Sequence, residues 1–231
     1  MKVIGFLCPR VKALVFDIDN TVYSRSEEYF AEGSRRELEL SANAIGIPLA
    51  VFLKAFEKKR NEISAREERK VAVTETVYAL GVTPKQWSSL RLVAWQPEKW
   101  ISSDPDISNL FAELTGRYHV AFGTNSPVEI GLRVLQTIGI AQAAPEIKVF
   151  GPENLNFSKP EPEFFCGISD FLGLSASVCI SIGDREFSDG SPAIKAGYAG
   201  AVIVHKSTEE LLGLGDCLLN GRWSELNERR K

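Results

Sequence analysis

Short apolar runs separated by helical stretches constrain this chain more than any other feature. Ala13 to Phe16, His119 to Phe122, Ile147 to Phe150, Val178 to Ile182 and Ala201 to Val204 are each four or five residues long, which suits a buried strand. Between the later runs the period changes: Val128, Leu132, Leu135 and Ile138 fall on one helix face. Strands alternating with helices pack as a parallel sheet covered on both faces. The expected fold class is α/β.

The interval between the first two runs breaks the rhythm. From about Arg25 to about Ser103 only helical patterns occur: Leu49, Phe52 and Phe56, then Val73, Val77 and Leu80, then Trp87, Leu90 and Leu92. Gly46-Ile47-Pro48 and Gly81-Val82-Thr83-Pro84 punctuate them as helix ends and starts. So long an interval is no connecting loop and reads as an inserted all-helical domain. The expected organisation is 1–23 core, 24–103 insertion and 104–231 core, with "QPEKWISSDPDI" as the return linker.

A chain of 231 residues with 44% hydrophobic residues can bury a substantial core. Its formal charge of −3 gives no electrostatic reason to bind nucleic acid or a membrane surface. In "MKVIGFLCPR" charge and polarity return before any cleavage pattern, and no apolar run approaches the roughly 18 residues of a membrane span. Cys8, Cys166, Cys179 and Cys217 lack paired spacing or a histidine cluster, which argues against structural zinc and for a reducing compartment. A soluble, cytoplasmic protein is expected.

Ligands of open parallel sheets gather at the carboxyl ends of the strands, and four such places here carry polar residues. Asp17, Asp19 and Thr21 follow the first run, although "DIDN" alone is equally a strand-ending turn. "GTNSP" follows the second, with the Thr124 hydroxyl, the Asn125 amide, and Ser126 as an expected cap of the next helix. Lys159 follows the third within "NFSKPEPEFF", and by itself would be a solvated loop lysine. "SIGDREFSDG" follows the fourth, its Asp184 and Asp189 being the hard oxygen donors that magnesium prefers.

Together the four closely resemble the motif order of the haloacid dehalogenase-like superfamily. "ALVFDIDNT" resembles its nucleophile motif, "AFGTN" its second, Lys159 in "SKPEP" its third and "IGDREFSDG" its fourth. The helical insertion resembles its mobile cap. The resemblance covers the whole chain and implies a Rossmann-like core with an inserted helical cap that carries substrate choice.

It further implies a Mg²⁺-dependent phosphomonoester hydrolase acting on a small phosphorylated metabolite, nucleotide and sugar phosphates both being open as substrate classes. Asp17 is then the nucleophile that forms an aspartyl-phosphate, and Asp19 the general acid and base. Mg²⁺ is implied on Asp17, the Asp19 backbone carbonyl, Asp184 and Asp189, the last directly or through water. Lys159 is implied to pair with Asp17 and phosphate, while Thr124 and the Asn125 backbone N–H hold phosphate oxygens. An acid at position 19 favours phosphate over haloacid substrates, since departing halide needs no proton. A haloacid dehalogenase, a phosphomutase and a non-catalytic binding protein are the alternatives. Neither a nucleic acid polymer nor a membrane is expected as a partner, and the oligomer is a monomer or homodimer.

Thr21 is expected to support the first loop, and Arg185 to form surface ion pairs. His119 and His205 stay outside the site. In the insertion, Arg35, Arg36, Arg66, Arg69 and Lys70 are expected mostly to face solvent, and Trp87, Trp95 and Trp100 mostly to pack.

Overall fold

The computed structural model describes residues 1–69, 71–205 and 208–230. They form two compact units, one of Met1–Arg25 with Pro97–Lys231 and one of Ser26–Gln96.

The first unit is built on a six-stranded sheet: β1 (Lys2–Gly5), β2 (Ala13–Phe16), β3 (His119–Gly123), β4 (Lys148–Phe150), β5 (Cys179–Gly183) and β6 (Gly200–Ile203), in the order β1-β6-β5-β2-β3-β4. Strands β2 to β6 are parallel, as the apolar runs imply. β1 corrects the expectation of a purely parallel sheet, because it runs antiparallel to β6, with Lys2 opposite Ile203 and Gly5 opposite Gly200. Its four residues KVIG bury only Val3, so they carry little local signal. A partner near the far end of the chain decides that this segment is a strand.

Alternation along each strand sends side chains to opposite faces. Leu14, Phe16, Val120, Phe122, Ile180 and Ile182 join one buried cluster with Ile107, Phe111, Val134, Leu135 and Leu214 from covering helices. Ala13, Val15, Ala121 and Cys179 join another with Phe164, Phe165, Ile168 and Tyr198. Both faces are therefore dry, and the β2 side chains are buried throughout.

The helix at Val128–Ile138 turns differently from the expected stripe. Ile130, Val134, Leu135 and Ile138 face the core, whereas Leu132 is exposed. Two further helices, Thr208–Leu219 and Trp223–Asn227, lie beyond the last strand.

The second unit is all-helical: α1 (Glu27–Ala44), α2 (Leu49–Glu67), α3 (Val73–Ala79) and α4 (Pro84–Ala94). Ala42, Phe52, Phe56, Val77, Val82 and Trp87 form its core. The punctuation acts as its composition implies. Gly81 takes φ +100° to close α3, and Thr83 opens α4 by a reciprocal cap, its Oγ1 accepting from Gln86 N while Gln86 Oε1 accepts from Thr83 N. Buried Glu37 accepts from Arg91 Nε at 2.8 Å and Trp95 Nε1 at 2.5 Å, so its charge is paired inside the bundle. Residues 97–103, placed with the insertion in the sequence reading, group with the sheet unit. Among the described residues no single helix is long and apolar enough to cross a membrane.

Candidate active site

The chain runs from β2 through β3 to β4 on one side of the sheet and through β5 to β6 on the other. The carboxyl ends of β2 and β5 thus flank the point where chain order reverses, where open sheets leave a crevice. Asp17 stands there, its N–H continuing the ladder to Ile182 O at 2.8 Å.

The segment after Asp17 turns tightly. Thr21 N and Val22 N both donate to Ile18 O, and Asn20 adopts the left-handed φ of +62°, a conformation that asparagine tolerates better than most residues. Its buried side chain accepts from Arg25 N. The turn brings a hydroxyl to each acid from four residues ahead. Thr21 Oγ1 donates to Asp17 Oδ2 at 3.1 Å, and Tyr23 OH donates to Asp19 Oδ1 at 2.6 Å. The supporting role read for Thr21 is therefore a direct bond to Asp17. Tyr23 is a contact that sequence reasoning missed, although the recurrence of a hydroxyl four places after each Asp was its signal.

After β3, the buried Thr124 donates its N–H to Phe150 O. Its Oγ1 accepts from Ser126 N at 2.9 Å. Ser126 does not cap the following helix: Glu153 Oε1, from beyond β4, accepts from Val128 N instead, and Ser126 Oγ lies 3.5 Å from Asp19 Oδ2. The Asn125 side chain is spent on the lysine loop. Its Nδ2 donates to Lys159 O at 2.8 Å and its Oδ1 accepts from Lys159 N at 2.9 Å. This two-point clamp fixes the backbone from which Lys159 reaches inward.

Lys159 is buried and divides its ammonium between Asp17 Oδ1 at 2.5 Å and Asp189 Oδ1 at 2.7 Å. Asp189 is also buried, and its Oδ2 accepts from Ser188 Oγ and Arg185 N. Close approach to β5 requires glycine at 183, because a Cβ there would sit 2.4 Å from Asp189 Cβ. Carboxylate oxygens of Asp17, Asp184 and Asp189 lie within 4.8 Å of one another. The Asp19 side chain is not in that trio, being turned to Tyr23 and Ser126.

One buried ammonium between two carboxylates leaves negative charge in excess. Burial raises the Asp17 pKa from 3.8 to about 7, the Lys159 ammonium opposing the rise and Asp189 adding to it. Burial works against the Lys159 charge, but Asp17 and Asp189 outweigh it and hold its pKa above the ordinary lysine range. Asp17, Asp184 and Asp189, hard oxygen donors with surplus negative charge, could hold a metal ion.

Arg185 is largely exposed, with Nε 3.5 Å from Asp184 Oδ2. Arg35 pairs with Glu32 and Glu39, Arg66 with Glu67, and Arg69 with Glu75, while Arg36 donates to Gln96. Lys70 falls outside the described residues. Trp87 and Trp95 are buried and Trp100 is half-exposed. His119 is exposed, and His205 lies beside the N-terminal ammonium and Glu210.

Residues 11–197 match the sequence model of the family described as haloacid dehalogenase-like hydrolase. No curated protein sequence matches the chain. Among solved structures, it is similar to a HAD phosphatase from Thermococcus onnurineus, at TM-score 0.58 and 20% identity over 86% of this chain and 88% of that one. It is also similar to the putative HAD-hydrolase YfnB from Bacillus subtilis, solved bound to magnesium, at TM-score 0.52 and 20% identity over 90% of this chain and 99% of the other. A 2-haloacid dehalogenase from Pseudomonas syringae pv. Tomato matches at TM-score 0.54 and 16% identity, over 84% and 86% of the two chains.

Proposed function

Because the chain belongs to the haloacid dehalogenase-like hydrolases, we propose that it is a Mg²⁺-dependent phosphomonoester hydrolase acting on a small phosphorylated metabolite through an aspartyl-phosphate. The observation that carries this reading is the acidic surplus. Asp17, Asp184 and Asp189 cluster within 4.8 Å, with one buried ammonium between two of them. A phosphate dianion approaching such a group is repelled unless a cation offsets the charge. Asp17, Asp184 and the Asp19 backbone carbonyl would hold Mg²⁺, with Asp189 contributing directly or through water. When bound, the ion supplies Lewis-acid neutralisation and a template for the phosphoryl group. The magnesium in the Bacillus subtilis structure is consistent with this assignment.

The chain's own residues divide the work. An Asp17 oxygen attacks phosphorus, the ester P–O bond breaks, and the departing oxygen takes a proton from Asp19. A water then loses a proton to Asp19 and attacks phosphorus, the bond to Asp17 breaks, and inorganic phosphate leaves. One ester and one water give one alcohol and one phosphate. Lys159, Thr124 and the Asn125 backbone N–H hold the non-bridging phosphoryl oxygens, which carry developing charge but neither form nor break a bond to carbon or to Asp17, where a single positioned donor typically contributes about 3 kcal/mol.

Asp19 supports this reading over haloacid chemistry, because a departing alkoxide needs a proton and a departing halide does not. The four cysteines are free, which suits the cytoplasm. The test is phosphate release from p-nitrophenyl phosphate with Mg²⁺ and with EDTA, beside halide release from 2-chloropropionate. Mg²⁺-dependent phosphate release is expected. Halide release independent of Mg²⁺, with no phosphate release, would overturn the reading.

A further inference from the structure

We propose that Tyr23 is a positioning residue for Asp19, fixing its carboxylate so that Oδ2 is the oxygen that gives and takes the proton. The proposal rests on the phosphohydrolase reading above and assigns Tyr23 a part in it.

The two Asp19 oxygens have unequal surroundings. Oδ1 accepts from the Tyr23 phenol at 2.6 Å, the short distance of a hydroxyl bound to a carboxylate. Oδ2 has Ser126 Oγ at 3.5 Å, at the outer limit of a hydrogen bond. Oδ1 is therefore engaged and Oδ2 available. A carboxylate's terminal torsion is otherwise broad, so an untethered Asp19 would spread its oxygens over many orientations. Proton transfer needs one orientation, with donor and acceptor at hydrogen-bond distance.

The phenol can impose that orientation because its own backbone is fixed. Asp19 and Tyr23 form an isolated β-bridge, the intervening turn is closed by Thr21 N and Val22 N on Ile18 O, and Asn20 ties the far side to Arg25 N. Ring and carboxylate thus belong to one braced turn. Thr21 provides an internal contrast, since it occupies the same turn but its hydroxyl serves Asp17. A phenylalanine at 23 would keep the ring and lose only the donor.

The experiment compares esters that differ in how much proton donation they need. In kcat/KM, p-nitrophenyl phosphate releases a stable phenolate and depends little on Asp19, whereas β-glycerophosphate releases an alkoxide and depends on it strongly. With Mg²⁺ present, Tyr23→Phe is expected to lower kcat/KM for β-glycerophosphate about tenfold or more, and for p-nitrophenyl phosphate less than about threefold. Thr21→Val, acting on the nucleophile, is expected to lower both by the same factor. Equal losses on the two esters for Tyr23→Phe, or no loss on either, would overturn the positioning role. Wild-type protein that hydrolyses neither ester overturns the hydrolase reading and this role with it, an outcome seen before any variant is made.

Discussion

Replacing Lys159 with methionine tests the electrostatics of the site without relying on turnover. The ammonium joins Asp17 and Asp189, and the lysine and Asp189 side chains are almost wholly enclosed. Removing one member of a buried ion pair typically costs about 3–5 kcal/mol, because the partner keeps its desolvation penalty without compensation. The pH dependence gives the test its direction. In the wild type without metal, the Asp17 pKa is raised from 3.8 to about 7. The folded state therefore holds a proton that the unfolded chain has released, and stability falls as pH rises through that window. A displacement of this size corresponds to about 4 kcal/mol. Lys159 opposes the displacement, so in Lys159→Met the window extends to higher pH. Each further pH unit adds about 1.4 kcal/mol of instability on the alkaline side. Urea unfolding followed by far-UV circular dichroism in EDTA, at pH 5.5 and pH 8, reads this directly. The variant should lose about 3 kcal/mol or more at pH 8 and distinctly less at pH 5.5. A loss equal at the two pH values, or below about 1 kcal/mol at pH 8, would refute the account of one buried ammonium compensating Asp17 and Asp189.

Other outcomes follow from the same contacts. Asp17→Asn should lower phosphate release by at least about 10³-fold while the protein stays folded, and full turnover in that variant would remove Asp17 as nucleophile. Gly183→Ala places a Cβ 2.4 Å from Asp189 Cβ, so Asp189 must withdraw from Lys159; steady-state kinetics should show a large fall in kcat, and an unchanged kcat would show that the approach is not needed. Mg²⁺ at a hundred times its Kd should stabilise the wild type by about 3 kcal/mol, and thermal melts should show that gain reduced in Asp184→Asn. Burial raises the Cys179 thiol from 9.0 to about 11, so the folded state binds more protons across that window and stability falls as pH rises through it, by about 3 kcal/mol. Denaturation between pH 9 and 11 should show a falling stability in the wild type and a shallower fall in Cys179→Ala, the buried tyrosine Tyr198 and the thiol of Cys217 contributing the remainder.

Much of the fold was legible because its signals are local. The β2 to β6 runs are short, apolar and bounded by polar turns, and each forms where its composition implies, within a residue or two. β1 was not legible. KVIG buries one side chain and becomes a strand through its pairing with β6. The helix after Pro127 shows the same limit at finer scale. Ser126 has the composition of a cap, yet Glu153 supplies it, because a glutamate brought over from beyond β4 reaches Val128 N. Leu132 completes an apolar stripe on paper but faces outward, since the helix is rotated so that Ile130 and Val134 meet the sheet.

Within the site, the residues that bear charge were legible as candidates, whereas the side-chain contacts that hold them were not, for a physical reason. Asp17, Lys159, Asp184 and Asp189 reveal themselves by type and order together, as ionisable residues in the loops that follow successive apolar runs. Asn125, Thr21 and Tyr23 do their work through backbone path. The Asn125 amide meets Lys159 only because two separate loops converge, and the hydroxyls at 21 and 23 meet the acids at 17 and 19 only because Asn20 turns left-handed. In an extended continuation of β2, Thr21 and Tyr23 would lie more than ten ångströms from those acids, at about 3.3 Å per residue. The "DIDNTVY" pairing is thus a property of the turn. Substituting Asn20 with a β-branched residue, which disfavours positive φ, should release both hydroxyl contacts at once and disable Asp17 and Asp19 together. Asn20→Val should therefore be more damaging in kcat/KM than either Thr21→Val or Tyr23→Phe. A variant with kinetics matching the milder of those two would show that the acids are held by something other than the turn.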